Sequence, residues 1–329
     1  MNRRRLAWTW ILLLCLPPAG AAQNDAPLDA VVRVRAAIPA EARTAASLGT
    51  EREGNGILID RKGHILTIGY LILEASRIQV TTAGGRTFPA RFVGYDHATG
   101  FGIVQSTPPL DAEPIPLGDS AGVTMGDAVQ ILTAGEIAGS GARVISRQPF
   151  VGYWEYLLED AIYVAPAHPD YGGAALVAED GRLVGVGSIL TRLEVASVGR
   201  VPCNMFVPID LLKPILSDLI DRGEADALAK PWLGVHSEET QGRVFVVRVN
   251  EGGPAAAAGL APGDIILSVE GQAVAGLADF YRKLWSSGAA GTKVTLRVLQ
   301  GDRIREIGVE TADRRRYLLP PGDTVGEAI

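Results

Sequence analysis

The spacing of turn residues limits the fold of this chain more than any other feature. Between Val31 and Pro208 the apolar runs are short and are soon cut by Gly, Asp or Pro: "GILID", "GHILTIGYLI", "RIQVTT", "TFPARFVGYD", "FGIVQS", "DAVQILTAG" and "RLVGVGSIL". Runs of this length read as strands, as does the alternation in "AVVRVRAAI", and no helical period lies between them to make βαβ units. An all-β barrel or sandwich is therefore expected, with "ARTAASLGTEREGNG" as a loop. The 39 glycines and 20 prolines supply the turns, and 47% hydrophobic residues suffice for a packed core. A net charge of −6 without any basic tract excludes a nucleic-acid partner.

The period changes at "PIDLLKPILSDLIDRGEADALAK". Leu211, Ile215, Leu219 and Ile220 share a helical face, and Gly223 is the expected stop. A helix closing an all-β domain marks a boundary, followed by a linker over 223–230. A second domain over 231–311 has its own order: the strand "GRVFVVRV", a short helix in "GGPAAAAGLAPGD", the strand and turn "IILSVEGQAV", the helix "LADFYRKLWSSG", and a hairpin turning at Gly301-Asp302. Residues 312–329 read as a flexible tail. Its last residues, Gly326–Ile329, end in an apolar side chain beside a carboxylate, the chemistry a peptide groove accepts.

Residues 1–22 read as an export signal. Arg3, Arg4 and Arg5 precede the apolar run Leu6–Leu16, and small residues offer cleavage near Ala21 or Ala22. The run is too short to span a bilayer, so no transmembrane segment is expected after cleavage. The expected location is the periplasm or the extracellular space. Cleavage leaves Cys203 alone, a buried small hydrophobe rather than a nucleophile.

One turn raises a question of chemistry. "AHPDYGGAALV" (Ala167–Val177) has the Gly-rich turn and following strand that hold a nucleophilic serine in trypsin-like enzymes, yet no Ser, Thr or Cys lies in it. The four histidines give no ready replacement. His64 sits in a turn and is expected to be solvated, and His236 belongs to the second domain. His97 and His168 could border one cleft and, with Asp96 and Asp170, form a metal site, although their spacing matches no standard ligand motif. Ser188 is read as a strand residue rather than a relocated nucleophile. No cofactor is called for.

Four ordered segments resemble the HtrA family of exported serine proteases. "GNGILIDRKGHILT" is similar to the family's G-S-G-F-I-I-D-x-x-G-x-I-L-T, and "IPLGDSAGVTMGDAV" and "FVPIDLLKPIL" match two further strings. "GGPAAAAGLAPGDIILSVEGQAV" follows the pattern of the family's PDZ domain. The resemblance covers Val31 to Glu310. It implies a mostly β chain: a trypsin-like double β-barrel over 23–222, then a PDZ domain (α+β, a partly open barrel) over 231–311.

The resemblance also implies where a catalytic triad would sit, and there the chain departs from the family. Tyr70 stands at the histidine position in "ILTIGYLI", Gly100 at the aspartate position in "DHATGFGIV", and Gly172 at the serine position in "HPDYGGAALV". A phenol is a poor base at neutral pH, and glycine can neither attack nor orient. The family's Gly at position 170 is Asp170, whose charge would oppose an oxyanion. Tyr70 and Tyr171 could instead pack into the vacated cleft.

A non-catalytic family member is therefore expected, with a scaffold, adaptor or regulatory role in protein quality control. A protease with relocated catalytic residues, and a chaperone or metal-binding module, are the alternatives. "KPWLGV" resembles the PDZ carboxylate-binding loop, so Trp232, Leu233, Gly234 and Val235 are the candidate peptide-binding residues, with Phe280 and Leu284 from the 277–286 helix. The partners implied are polypeptide C-termini or unfolded exported proteins, a homologous active protease, and further copies of the chain in a trimer.

Overall fold

A computed structural model describes residues 28–196, 198–225 and 228–320. The export signal, its cleavage site and the terminal Gly326–Ile329 lie outside the described residues.

Two closed six-stranded antiparallel barrels come first. Barrel one holds β1 (Val31–Ala37), β2 (Glu51–Leu58), β3 (His64–Ile68), β4 (Arg77–Thr81), β5 (Thr87–Tyr95) and β6 (Phe101–Ser106), in the order β1-β2-β3-β6-β5-β4. Barrel two holds β7 (Ala128–Leu132), β8 (Gly139–Gly152), β9 (Tyr156–Ala165), β10 (Ala175–Ala178), β11 (Leu183–Val195) and β12 (Gly199–Pro208), in the order β10-β11-β12-β9-β8-β7. Closure leaves no edge strand to pair with another chain. The alternation read in "AVVRVRAAI" is that of β1, whose Val32, Val34 and Ala36 are buried while Arg35 is exposed. The expected double barrel is present.

The segment "EREGNG", expected as loop, is instead the first part of β2. Its glycines conceal the strand. A Cβ on Gly56 would fall 2.5 Å from Ile65 and 2.7 Å from Val34, and one on Gly54 would fall 2.8 Å from the Gly172 carbonyl. Glycine is needed there because barrel interior and loop approach the backbone closely. A short helix, α1 (Ala45–Leu48), precedes the strand.

The boundary helix is shorter than its apolar period. A 3-10 turn over Ile209–Leu211 leads to α2 (Leu216–Arg222), which buries Leu219 and ends at Gly223 in the left-handed conformation. Leu211 is exposed.

The last unit is a sheet of β13 (Val235–Thr240), β14 (Arg243–Val249), β15 (Ile265–Val269), β16 (Gln272–Ala273), β17 (Lys293–Gln300) and β18 (Arg303–Glu310). Its order is β13-β14-β15-β17-β18, with β16 paired to β15, so β13 is an edge. Two helices cover it, α3 (Pro254–Ala257) and α4 (Leu277–Ser286), and β17 and β18 turn at Gly301-Asp302.

The expected flexible tail from 312 differs from the structure over 312–320. Ala312 pairs with Trp232, residues 314–316 form a 3-10 turn, and the Leu319 N–H donates to the buried Glu74 carboxylate of barrel one (2.9 Å). The segment after β18 thus straps the last unit to the first barrel.

Candidate functional site

The three positions where the triad would sit meet at the seam between the barrels. β3 ends at Ile68, and a 3-10 turn over Gly69–Leu71 presents Tyr70. The Gly69 N–H donates to the Gly100 carbonyl (2.7 Å), which ties the Tyr70 turn to the Gly100 loop. Gly172 faces them from barrel two: a Cβ added to it would lie 2.7 Å from the Tyr70 Oη. That hydroxyl donates to the Ser188 carbonyl of β11 (2.9 Å). Burial, with Tyr171 nearby, pushes the Tyr70 phenol well above its ordinary range, so it stays protonated. Tyr70 packs against the hydrophobic core at this seam, and both Tyr70 and Tyr171 are half-buried. Gly100 lies at φ +82, where a Cβ would sit 3.3 Å from the Tyr156 Oη. A left-handed residue of this kind favours glycine.

The loop opposite Tyr70 is fastened from several sides. Arg33 of β1 donates to both Asp170 oxygens (3.0 and 2.7 Å), and the Asn55 Nδ2 adds a third bond to the same carboxylate (3.1 Å). The Gly172 carbonyl accepts from the Asn55 main-chain N–H (2.7 Å). The Asp170 N–H donates to the His168 Nδ1 (3.1 Å). The expected objection to an oxyanion, the Asp170 charge, is therefore corrected. Arg33 offsets that charge, and the Asp170 amide is bonded to the His168 imidazole.

The candidate metal residues are not brought together. His168 is buried, with its main chain clamped by Asn204 through bonds of 2.6 and 3.1 Å. His97 lies elsewhere, against a cavity of about 110 Å³ that it shares with Lys230, Trp232, Trp285 and Arg314. Burial and the Arg314 charge hold the His97 imidazole down to about 3. Among the described residues, no group of three or more His, Cys, Asp or Glu side chains could share a metal ion. His64, expected to be solvated, is buried in β3 with its Nδ1 2.5 Å from the Asp60 carboxylate. Cys203 is a buried free thiol that burial pushes up.

The second candidate site is the loop before β13. Leu233 and Val235 are buried, and Gly234 lies at φ +80, which lets three successive amides turn toward one point. At that point sits the Glu155 carboxylate, from the turn between β8 and β9. It accepts from the N–H groups of Leu233 (2.9 Å), Gly234 (2.7 Å) and Val235 (3.0 Å). Phe280 and Leu284, expected to line a peptide pocket, are fully buried in the core of this unit. Trp232 is buried too, with its ring 4.8 Å from that of Tyr317. The helix residue that reaches the Glu155 turn is Tyr281, which the sequence reading passed over: its Oη donates to the Gly152 carbonyl (3.0 Å) and accepts from the Glu155 N–H (3.1 Å).

Comparisons with known proteins agree with this architecture. A trypsin-like peptidase domain model matches residues 54–186, and a PDZ domain model matches residues 231–311. Protease Do-like 1, chloroplastic, of Arabidopsis thaliana is 30% identical over 285 residues, 78% of this chain and 62% of that protein. The periplasmic pH-dependent serine endoprotease DegQ of Escherichia coli is 28% identical over 274 residues, 78% of this chain and 58% of DegQ. The chain thus spans about 60% of the length of these curated relatives. Among solved structures, the HtrA-type protease AlgW with a decapeptide superposes with a TM-score of 0.53 at 22% identity, covering 90% of this chain and 97% of that one, which speaks to the fold. No helix among the described residues is long and apolar enough to cross a membrane. The chain belongs to the HtrA/Deg family, in which a trypsin-like peptidase domain is followed by a PDZ domain.

Proposed function

We propose that the protein is an exported, non-catalytic HtrA-type protein that recognises polypeptide C-termini through its PDZ domain, as a scaffold, adaptor or regulatory subunit. One observation carries the non-catalytic half: Gly172 faces the Tyr70 hydroxyl, which lies where a nucleophile's Cβ would need room. Acyl transfer needs an attacking oxygen, a base for its proton and a group to orient that base. Gly172, Tyr70 and Gly100 provide none of these, and removing a whole triad costs about a millionfold in turnover in subtilisin, the enzyme where this has been measured. Export is supported by the charged start and apolar run of residues 3–16 and by periplasmic relatives such as DegQ.

The recognition half is supported by the amides of Leu233, Gly234 and Val235, which converge on a carboxylate beside an edge strand. A peptide C-terminus offers the same chemistry, a carboxylate followed back along an extended strand. A protease with relocated residues would need a Ser or Cys hydrogen-bonded to a histidine; among the described residues the rings of His64, His168 and His236 bond to Asp60, Asp170 and Arg248 instead, and the His97 Nδ1 has no partner. The deciding experiment is labelling of the purified mature chain with a fluorophosphonate probe, together with an unfolded casein assay. Neither labelling nor cleavage is expected. Labelling mapped to any serine of this chain would overturn the non-catalytic reading.

A further inference from the structure

The three amides of the PDZ carboxylate loop hold a carboxylate that belongs to the chain itself. We propose that the tip of the β8–β9 hairpin, Gly152–Glu155, is an internal ligand of the PDZ groove, and that a polypeptide C-terminus binds by displacing it. The proposal rests on reading that loop as a C-terminus site, and it adds the regulation of that site.

The tip meets the groove as a bound peptide would. β13 is an edge strand, and the Ser237 N–H on it donates to the Tyr153 carbonyl (2.8 Å). Two residues further on, Glu155 delivers its carboxylate to the amides of Leu233, Gly234 and Val235. The tip therefore runs antiparallel to β13, with its negative group in the loop, the geometry of strand addition. Leu157 of β9 is buried in one cluster with Leu233, Val235, Phe280 and Leu284, so an apolar side chain from the same hairpin enters the PDZ core. An aromatic contact adds to this, with the Tyr153 ring 5.4 Å from that of His236.

Latches on either side of the tip hold it in place. The Tyr281 hydroxyl bridges the Gly152 carbonyl and the Glu155 N–H, and Arg314 donates to the Trp154 carbonyl (3.1 Å). Glu155 itself lies at φ +57, a conformation that disfavours residues other than glycine and persists where surroundings enforce it. The arrangement also links the two candidate sites. Tyr156 follows Glu155 directly, and its hydroxyl donates to the carbonyl of Thr99 (2.5 Å), the neighbour of Gly100. Displacing the tip thus loosens a residue that touches the seam between the barrels.

An internal ligand competes at an effective concentration on the order of millimolar, so it weakens the apparent affinity of any added peptide. The probe is a fluorescent decapeptide ending in Tyr-Trp-Leu with a free carboxylate, copying the tip's aromatic pair and the buried leucine; its C-terminal amide is the control. The full-length mature chain should bind the acid weakly and the amide not at all. Glu155→Ala, which removes the competing carboxylate, should bind the acid at least tenfold more tightly. Tyr281→Phe, which releases the tip without touching the loop amides, should shift affinity in the same direction. Hydrogen exchange at residues 152–157 should rise in the wild type when the acid peptide saturates it, and should be raised in Glu155→Ala without peptide. Equal affinity in all three proteins, with tip exchange unchanged by bound peptide, overturns the internal ligand and leaves C-terminus recognition standing. A released tip with no binding of the acid peptide overturns both. A tip still protected in Glu155→Ala, with no gain in affinity, shows that Glu155 does not hold the groove and overturns the proposal.

Discussion

The overlap between a side chain at Gly172 and the Tyr70 hydroxyl allows a quantitative test of the proposal that this position has no room for a nucleophile. Gly172 lies outside the left-handed region, so an alanine there meets no backbone strain and its cost comes from what its Cβ touches. The nearest atom is the Tyr70 Oη at 2.7 Å, and the next is the Tyr70 Cζ at 3.8 Å. The first distance is an overlap and the second an ordinary contact. The hydroxyl is also anchored on the Ser188 carbonyl, so it cannot swing away without losing that bond. Gly172→Ala should therefore destabilise the barrels by about 1–3 kcal/mol, the usual cost of overpacking. Tyr70→Phe alone should cost about 1 kcal/mol for the lost hydrogen bond. In the Tyr70→Phe background the overlap is gone, and Gly172→Ala should be neutral or stabilising by up to about 1 kcal/mol, because alanine restricts the unfolded chain. The pair is thus expected to couple favourably by about 1–4 kcal/mol, read from urea unfolding of the four proteins. Two probes are needed, since a chain with a separate PDZ unit need not unfold in one step. Gly172→Ala costing the same in both backgrounds, within about 0.5 kcal/mol, refutes the idea that the Tyr70 hydroxyl fills that space.

Three further outcomes are expected. Gly172→Ser alone should remain inert in a casein assay, because its hydroxyl would face a phenol instead of an imidazole; activity comparable with a Tyr70→His, Gly100→Asp, Gly172→Ser variant would show the site to be misplaced. Arg33→Met should destabilise by about 1–3 kcal/mol by stranding the half-buried Asp170 carboxylate, and adding Asp170→Asn should recover most of the loss in denaturant melts. Burial holds the His97 and His236 imidazoles down to about 3 and 4, so their contribution to stability is present above their ordinary 6.5 and is lost as pH falls, whereas burial pushes the Glu155 carboxyl up to about 7, so its contribution is present below 4.5 and is lost as pH rises. Glu155→Gln should therefore steepen the loss of stability between pH 7 and pH 5 by about 2 kcal/mol, and parallel melting curves against pH in the two proteins would refute the Glu155 assignment.

Much of the fold was legible because strands and turns are local. The runs between Val31 and Pro208, the left-handed Gly223 after α2 and the turn at Gly301-Asp302 each depend on neighbours in sequence. What failed was decided by distant partners. "EREGNG" has the composition of a loop, and it is a strand because Gly54 and Gly56 let Gly172, Ile65 and Val34 approach. His64 has the setting of a surface turn, yet it is buried with Asp60 as its partner. The polar segment beyond 311 looked free, and it is held by the buried Glu74 carboxylate of the first barrel.

The two candidate sites differ in legibility for the same reason. Tyr70, Gly100 and Gly172 could be nominated because each sits inside a string of residues whose order is itself the signal, and the structure brings the three positions together. Glu155 could not, since its three partners are main-chain amides 78 to 80 residues away, and an amide leaves no mark on a sequence. The clue available was chemical: "YWEY" puts one acid among three aromatic residues, a poor place for a charge unless something receives it. The structure names the receiver as the PDZ loop. The three amides of that loop thus satisfy a buried carboxylate, so the cost of desolvating Glu155 is offset only while the hairpin stays docked. Under the internal-ligand proposal that dependence makes the tip a competitor for the groove, one that a charged peptide terminus of matching shape would replace without leaving the amides unpaired.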